Sequence, residues 1–410
     1  MTTLINADTS GGLKMTSDTS GVLDIQSAGS TKLTVSSTGV DIPVISTING
    51  LTSINGGQVG GRRNIVINGE MKVAQRATSA TGKTGGTSGY FALDRWKLQD
   101  GTIGTGGRCT IAQIADGPAG FANCLKISAT TADTSIDQRE ALILQTRFEG
   151  QDLQQLKKGT ASAEKVTVSF YVKGNAAALY VCELHDVDNG RNNTQSFAVT
   201  TDWNRIELTF AADTSDPLDD DTAVSLSLNF WLHSGANYSG GTFASNTWAD
   251  ITLANTTAVA NRTSIYDSTN RTFFLTGVQM EIGSTATEFE HRSLCEEYDL
   301  CKRYYYQSYD LGVAAGTTSN AGSIMLHTYS TGNSFRYNII FSPAMRAAPT
   351  MVFYNVEDGT AGEMGIEGAG GTNANALNVA FASPKRTMIY STNVPVVGNY
   401  YFHYTASAEL

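Results

Sequence analysis

Short segments in which every second residue is apolar recur along the 410-residue chain, and they restrict its fold more than any other feature. In residues 165–174, KVTVSFYVKG, these apolar residues are Val166, Val168, Phe170 and Val172. A period of two places apolar side chains on one face of a β-strand, whereas a helix requires a period near 3.6. Residues 204–212, 222–232 and 271–283 alternate in the same way, and turn-rich loops separate them. The pattern predicts an all-β protein built from antiparallel sandwiches.

The composition agrees with this fold and argues against several classes of protein. Apolar residues make up 41% of the chain, which is enough for real cores and argues against wholesale disorder. The net charge is −10 and no basic run occurs, so we expect no nucleic-acid partner. No run of about 18 apolar residues occurs, so we expect no membrane insertion. The opening residues, MTTLINADTSGG, lack the pattern of a secretion signal.

Residues 8–42 contain a repeat of DTSGGLKMTS, DTSGVLDIQS, AGSTKLTVSS and a shorter TGVDI. Each unit combines turn residues with one alternating apolar pair: Leu13/Met15, Leu23/Ile25, Leu33/Val35 and Val40/Ile42. Two apolar side chains per unit are too few for a core, so the units need neighbours, and the simplest neighbours are copies in other chains. We predict that residues 1–42 form a thin β-stem that assembles a homotrimer. A flexible tether is the alternative.

The rest of the chain divides into four predicted parts. Residues 43–63 form a Gly/Asn-rich linker, residues 64–292 a jelly-roll β-sandwich and residues 307–410 a smaller C-terminal β-sandwich. Between the sandwiches, residues 293–306 form a connecting helix, because Leu294, Tyr298, Cys301 and Tyr305 follow helical spacing. Ser293 and Glu296 have the spacing of a capping box at its start.

Several clusters carry side chains that could perform chemistry, and each also has a structural interpretation. Glu288, Glu290 and His291 could form an acid/base pair, but no motif supplies a nucleophile or a second carboxylate. Cys295 and Cys301 could bind a metal with His291, but their spacing is unlike that of zinc sites. We favour structural roles for all of these residues and predict no catalytic residues and no enzyme activity.

The acidic loop SDPLDDDT, residues 215–222, is the one candidate metal site. Its carboxylates could bind Ca²⁺ through oxygen ligands, and they belong to Asp216, Asp219, Asp220 and Asp221. A solvated acidic turn is the alternative. We expect no other cofactor.

Aromatic residues are the candidates for ligand binding, because flat apolar rings stack well against sugars. Tyr90, Tyr180 and Tyr238 could form a tyrosine-dense surface, and Trp248 is a further candidate. Trp96 follows Asp94 and Arg95 at the start of the sandwich, and we expect it to lie in the core.

Three motifs resemble those of a known group of proteins. They are NIVINGEMKVAQR (residues 64–76) followed by DRW (94–96), then TGVQMEIGSTATEFEHRS (276–293), and then YDLCKRYYYQS (298–308). Together they resemble the carbohydrate-binding-module-like jelly roll of bacteriophage tail fibres and related virion proteins. The likeness covers residues 64–309 best and 310–410 moderately.

This resemblance implies a virion structural protein that is assembled in the host cytoplasm. A homotrimeric tail-fibre-like appendage would contact other virion proteins through the stem and host cell-surface glycans through its β domains. We expect residues 310–410 to make the distal contact. One alternative is a capsid decoration, collar or adaptor protein that binds no sugar. A weaker alternative is a polysaccharide depolymerase, a class that usually carries a long parallel β-helix.

Overall fold

The computed structural model describes residues 62–101, 106–329, 335–366, 377–391 and 396–410, together with five short strands nearer the amino terminus. Strands account for 42% of the residues and helices for 7%, which confirms the predicted all-β class. The chain forms two compact units, Met1–Ile54 and Asn55–Leu410. No helix in the described residues has the length and apolar character needed to cross a membrane.

The first unit contains an antiparallel meander. Strands are numbered in chain order, and those near the amino terminus are β1 (Leu23–Ser27), β2 (Ser30–Ser36), β3 (Gly39–Asp41) and β4 (Ser53–Ile54), followed in the second unit by β5 (Gly57–Gln58). The register pairs Leu23 with Val35 and Ile25 with Leu33, so the predicted apolar positions of neighbouring repeats are paired across the two strands. The first repeat, residues 8–17, lies outside the described residues, and the homotrimer stays a prediction.

The second unit begins with a jelly roll of two six-stranded antiparallel sheets. The first sheet contains, in spatial order, β14 (Asn204–Phe210), β11 (Val166–Gly174), β17 (Thr272–Ile282), β9 (Cys124–Thr131), β8 (Arg108–Ile114) and β6 (Ser79–Lys83). The second sheet contains β16 (Ala249–Asp250), β13 (Arg191–Val199), β12 (Ala178–Asp186), β15 (Val224–Ser234), β10 (Ala141–Glu149) and β7 (Lys97–Asp100). Short helical turns in the connections are Gly150–Asp152, Gln154–Leu156, α1 (Ala236–Ser239) and Leu253–Asn255.

The jelly-roll core lies between these sheets, where the alternating apolar residues of both meet. Trp96 is fully buried there, its Nε1 donates to the backbone oxygen of Asn68 at 3.0 Å, and its ring centroid lies 6.2 Å from that of Phe230. Val278 and Met280 of β17 belong to the same core. The predicted core position of Trp96 is confirmed.

The connecting helix α2 spans Leu294–Lys302, and Ser293 Oγ accepts a hydrogen bond from the Glu296 amide at 3.2 Å. The predicted Ser293 cap is therefore confirmed, whereas the Glu296 side chain pairs with Arg62 and does not complete the capping box. The predicted end at residue 306 is wrong. The chain leaves the helix early because Tyr305 pairs with Ser407 in a strand. Leu294 is 48% exposed and does not join the buried side of the helix.

The C-terminal region is a second sandwich. One sheet is built around β25 (Gly398–Ser407) and also contains β18 (Tyr305–Gln307), β19 (Ile324–Thr328), β21 (Thr350–Asn355) and β22 (Gly365–Ile366). The other contains β20 (Phe335–Ile340), β24 (Arg386–Ser391) and β23 (Asn378–Ala380). Ile339 and Ile389 from the smaller sheet pack with Phe353 and Phe402 from the larger one.

A buried charged seam joins the C-terminal sandwich to the jelly roll. The Glu409 carboxylate pairs with Arg95 and, at 3.0 Å, with Arg76. The Arg95 guanidinium also lies 3.5 Å from the ring centroid of Tyr304, whose hydroxyl donates to Glu149 at 2.6 Å. The last residues of the chain therefore complete a network that begins at the start of the jelly roll.

Candidate functional site

The outward face of the second sheet carries a groove of about 310 Å³. It exists because β15 directs Leu228 and Phe230 into the core and directs Asn229 and Trp231 to the opposite face. Its volume is at the lower end of the ligand-pocket range, roughly 300–1,000 Å³.

Side chains from β10, β15 and β12 cross the groove floor in three rows, because the antiparallel register sets them side by side. Read in that strand order, the rows are the apolar Ile143, Trp231 and Val181, the polar Gln145, Asn229 and Glu183, and the mixed Arg147, Ser227 and His185. Val181 is buried and does not line the groove. Neighbouring strands lie about 4.8 Å apart, so one row spans roughly 10 Å. The floor thus offers an apolar strip beside a line of hydrogen-bonding groups.

The Glu183 carboxylate holds the floor together. Its Oε2 accepts from Trp231 Nε1 at 2.7 Å and from Asn229 Nδ2 at 2.9 Å, and its Oε1 accepts from Asn192 Nδ2 at 2.7 Å. Three donors fix the carboxylate and orient the indole and the amide that donate to it. We therefore interpret Glu183 as an organiser of the floor.

Asn229 supplies an acceptor with no partner. Its side chain is 4% exposed and lines the groove, yet Oδ1 makes no hydrogen bond among the described residues. Buried polar atoms are nearly always satisfied, and an exception needs a water or a ligand. Oδ1 itself has almost no accessible surface, so this acceptor belongs to the buried floor beneath the groove.

One wall of the groove is the long connection between β15 and β17. It is held at the sheet edge by the Asn246 amide, which donates to the Thr194 oxygen, and by the Ile251 amide, which donates to the Gly190 oxygen, each at 2.9 Å. The connection carries Leu253, which is 56% exposed at the groove's lip. Leu253 therefore adds an apolar group to the rim of the groove.

The predicted tyrosine-dense surface is wrong for Tyr180, which is 2% exposed and belongs to the jelly-roll core. Tyr238 lies on the wall connection, and its ring centroid is 5.2 Å from that of Trp231. Tyr90 donates to the Leu410 oxygen at 2.9 Å, and burial, reinforced by Glu409, raises the pKa of its phenol to about 12. Trp248 is half-buried.

Sequence reasoning missed Trp231, Asn229 and Gln145 as site residues. The available signal lay in the alternate residues of TAVSLSLNFWL that point away from the core. A strand with one face in the core and the other in solvent normally carries longer polar residues on its solvent face. The short Ser227 and the amide Asn229 leave room above the sheet.

The clusters near the connecting helix serve structural contacts. Glu290 Oε2 accepts from the Asn64 amide at 2.8 Å, and His291 Nδ1 lies 2.8 Å from Glu70 Oε1. Cys295 is exposed, whereas Cys301 is buried, and burial raises the pKa of its thiol. None of these residues lines the groove.

A lysine lies beside the acidic loop. Lys158 Nζ lies 2.6 Å from Asp186 Oδ2 and 3.1 Å from Asp213 Oδ2, and it donates to the backbone oxygens of Ser215 and Asp216 at 3.0 and 2.7 Å. The predicted calcium ligands have exposed side chains: Asp216, Asp219, Asp220 and Asp221. In the described part of the chain, no three acidic, histidine or cysteine side chains are grouped as a metal site. The calcium site stays a prediction.

No protein-family model matches the chain. No curated protein matches it. Among solved structures, a family 11 carbohydrate-binding module from a cellulosomal cellulase of Clostridium thermocellum is 14% identical, with a TM-score of 0.26 over 51% of this chain and 99% of the module. A family 30 carbohydrate-binding module is 12% identical, with a TM-score of 0.26 over 54% of this chain and 88% of the module. The enzymatically active domain of a tailspike protein from bacteriophage CBA120 is 12% identical, with a TM-score of 0.24 over 46% of this chain and 19% of that one.

Proposed function

We propose that this protein is a virion appendage of tail-fibre type that adheres to host cell-surface glycans through the groove of its jelly roll. The groove carries this proposal, because it sets an apolar strip beside a line of hydrogen-bonding groups. A sugar ring presents the matching surfaces, with C–H groups on its face and hydroxyl groups around its edge.

The proposed role is binding without catalysis. Most glycosidases use two carboxyl groups on opposite sides of the bond that they break. Among the described residues that line the groove, Glu183 is the single carboxylate, and three donors already occupy it. A shallow groove of this kind binds weakly, so a homotrimer carried by the amino-terminal stem would raise the avidity on a surface with many copies of the glycan.

A glycan array with the full-length protein tests the proposal. Leu253→Asp places a charge at the exposed lip of the groove, and Leu294→Asp makes the same exposed change on α2. We expect Leu253→Asp to reduce glycan binding at least tenfold and Leu294→Asp to leave it unchanged. Binding that is equal in both variants, or no glycan binding at all, would overturn the groove assignment.

A substitution that fills the groove with a larger side chain provides a second test. Ser227→Tyr fills the floor between Arg147 and His185, while Ser128→Tyr adds the same bulk to the outer face of the first sheet. Unfolding curves show whether each variant folds. A folded Ser227→Tyr protein that still binds glycan at full strength would contradict the proposal.

A further inference from the structure

One end of the groove carries positive charge in a chain whose net charge is −10. Arg147 lines the groove and makes one side-chain hydrogen bond, from Nε to Gln145 Oε1 at 2.6 Å. Lys97 is the cross-strand partner of Gln145, on the same face of the sheet. Neither cation has an ion-pair partner among the described residues. Diagonal neighbours of this kind lie about 7–8 Å apart, so Lys97 lies beside the Arg147 end of the groove without lining it.

The groove carboxylate Glu183 and the carboxylate that acts on Lys97, Glu409, are already occupied. Glu183 accepts from Trp231, Asn229 and Asn192, and Glu409 is held by two arginines of the seam. Burial and the charge of Arg147 lower the pKa of Lys97, as expected when a cation has no adequate counter-ion.

The third row of the floor extends this region. Ser227 lies between Arg147 and His185, and its short side chain leaves space above the sheet. A carboxylate placed over Ser227 could accept hydrogen bonds from the Arg147 guanidinium on one side and from the His185 ring on the other. Two strand spacings of about 4.8 Å separate these residues, which leaves room for such a group.

We infer that the groove binds an acidic glycan, with a sugar carboxylate seated at the Arg147 end and the neutral part of the ring over Trp231. This inference rests on the proposed function and adds the ligand's chemical class. Charge-assisted contacts from arginine to a carboxylate are stronger than neutral hydrogen bonds, and the arginine fork favours planar anions. The acidic character of the remaining protein would then reject polyanions everywhere except at this end of the groove.

The test compares polygalacturonate with its fully methyl-esterified form, because the two polymers share a backbone and differ in charge. Alginate and hyaluronan serve as further acidic polymers, and a neutral mixed-linkage β-glucan completes the set. Affinities are measured by calorimetry with the full-length protein at two salt concentrations. We expect at least one acidic polymer to bind at least tenfold more tightly than the neutral polymers, with an affinity that falls as salt rises.

Arg147→Gln is the decisive variant, and Arg336→Gln is its matched control on an exposed arginine of β20. Arg147→Gln should remove about a tenfold preference for the acidic polymer, Lys97→Gln should remove less, and Arg336→Gln should remove none. A preference that survives Arg147→Gln would overturn the inference.

The outcomes also separate this inference from the proposed function. If neutral or esterified polymers bind as well as the acidic ones and Leu253→Asp weakens them all, the groove binds glycans and the acidic preference is wrong. If no polymer binds, both fail together.

Discussion

The jelly roll and the C-terminal sandwich differ in how much apolar surface they leave exposed. Fourteen large apolar side chains are exposed among the described residues, and ten of them lie between Leu311 and Val397. The jelly roll contributes three, of which Val187 and Leu253 line the groove. The smaller region therefore carries most of the exposed apolar side chains.

The exposed apolar side chains are also arranged differently in the two regions. In the jelly roll the exposed apolar groups border a concave, hydrogen-bonding site of a size that suits part of a small ligand. In the C-terminal sandwich they are spread over several strands, with Met325 on β19, Ile340 on β20 and Val352 on β21. Apolar side chains scattered singly over a surface are normal, whereas contiguous patches mark interaction surfaces. Under the proposed function, sugar recognition belongs to the jelly-roll groove, and the distal contact expected for residues 310–410 stays a prediction.

The largest expected effect comes from a substitution in the buried core of the jelly roll. Trp96→Ala should lower the free energy of unfolding by about 3–5 kcal/mol, because it leaves a cavity and orphans the Asn68 oxygen that accepts from the indole. Ile340→Ala, at a side chain that is 71% exposed, should change the stability of a monomer by about 0.5 kcal/mol or less. Denaturant unfolding measures both. Equal losses of stability in the two variants would show that an exposed side chain of the C-terminal sandwich matters as much for stability as a buried side chain of the jelly roll.

The next effect concerns the seam between the two regions. Glu409→Gln removes the carboxylate that pairs with Arg76 and Arg95 and leaves both cations without their main partner. We expect a loss of about 3 kcal/mol, because breaking a buried pair strands the remaining charge. The exposed pair of Arg205 with Glu207 is the control, and Glu207→Gln should cost about 0–1 kcal/mol.

Calorimetry of the same variant sharpens the comparison. If the seam makes the two sandwiches unfold together, wild type should show one transition for this unit, and Glu409→Gln should separate it into two. A single transition at an unchanged temperature in the variant would mean that other contacts couple the regions.

A smaller effect follows from the pH dependence of Asp94, whose Oδ1 lies 3.3 Å from Nη1 of the seam residue Arg76. Burial raises the pKa of Asp94 to about 6, although Arg76 and Gln75 act in the opposite direction. A carboxyl group with a raised folded-state pKa binds its proton more tightly when folded. Its contribution to stability is therefore full below its unfolded pKa of about 3.8 and is lost as the pH rises through about 6.

Asp94→Asn isolates this contribution. The free energy of unfolding of wild type minus that of the variant should fall by about 1–3 kcal/mol between pH 4 and pH 7. Urea denaturation at several pH values measures it. A difference that is flat or that rises with pH would show that Arg76 and Gln75 outweigh burial.

Local features of this structure could be predicted from the sequence. The strands follow the period-two alternation, Ser293 caps α2, and Trp96 lies in the core, because each depends on neighbouring residues or on a large apolar side chain. The helix end could not be predicted, since Tyr305 leaves α2 to pair with Ser407, about a hundred residues later in the chain.

The groove depends on long-range contacts for the same reason. Glu183 organises it by accepting from Trp231 and Asn229, which lie on another strand and more than forty residues away in sequence. Tyr180 and Glu183 lie on the same strand, yet one faces the core and the other the groove. The alternation identifies two faces, but it does not say which face holds a site until the neighbouring strands are known.

Association of chains should depend on the exposed apolar side chains of the C-terminal sandwich as well as on the stem. We expect the full-length chain to sediment as a trimer at micromolar concentration. Ile340→Asn with Phe381→Asn should weaken association by about 1 kcal/mol per side chain, whereas Val187→Asn in the groove should not. Asn suits position 381 because the backbone φ there is +50°.

Two results would contradict this prediction. A monomer at micromolar concentration in wild type would exclude the trimer altogether. A trimer that is lost on deleting residues 1–42 but unaffected by the double variant would assign association to the stem alone.

The smallest expected effect is that of a chelator on the jelly roll's acidic loop. The Lys158 ammonium already lies among four oxygens, from Asp186, Asp213, Ser215 and Asp216, much as a metal ion would. Because this internal cation balances the two buried carboxylates, wild type should keep its melting temperature in chelator and in added Ca²⁺. Lys158→Met removes the charge and keeps most of the bulk, so the vacated oxygens should then bind Ca²⁺ and raise the melting temperature of the variant, since a ligand that binds only the folded state stabilises it. Lys157→Met, at the exposed neighbouring lysine, should show no response to Ca²⁺. A chelator effect on wild type would instead assign a calcium ion to Asp216, Asp219, Asp220 and Asp221.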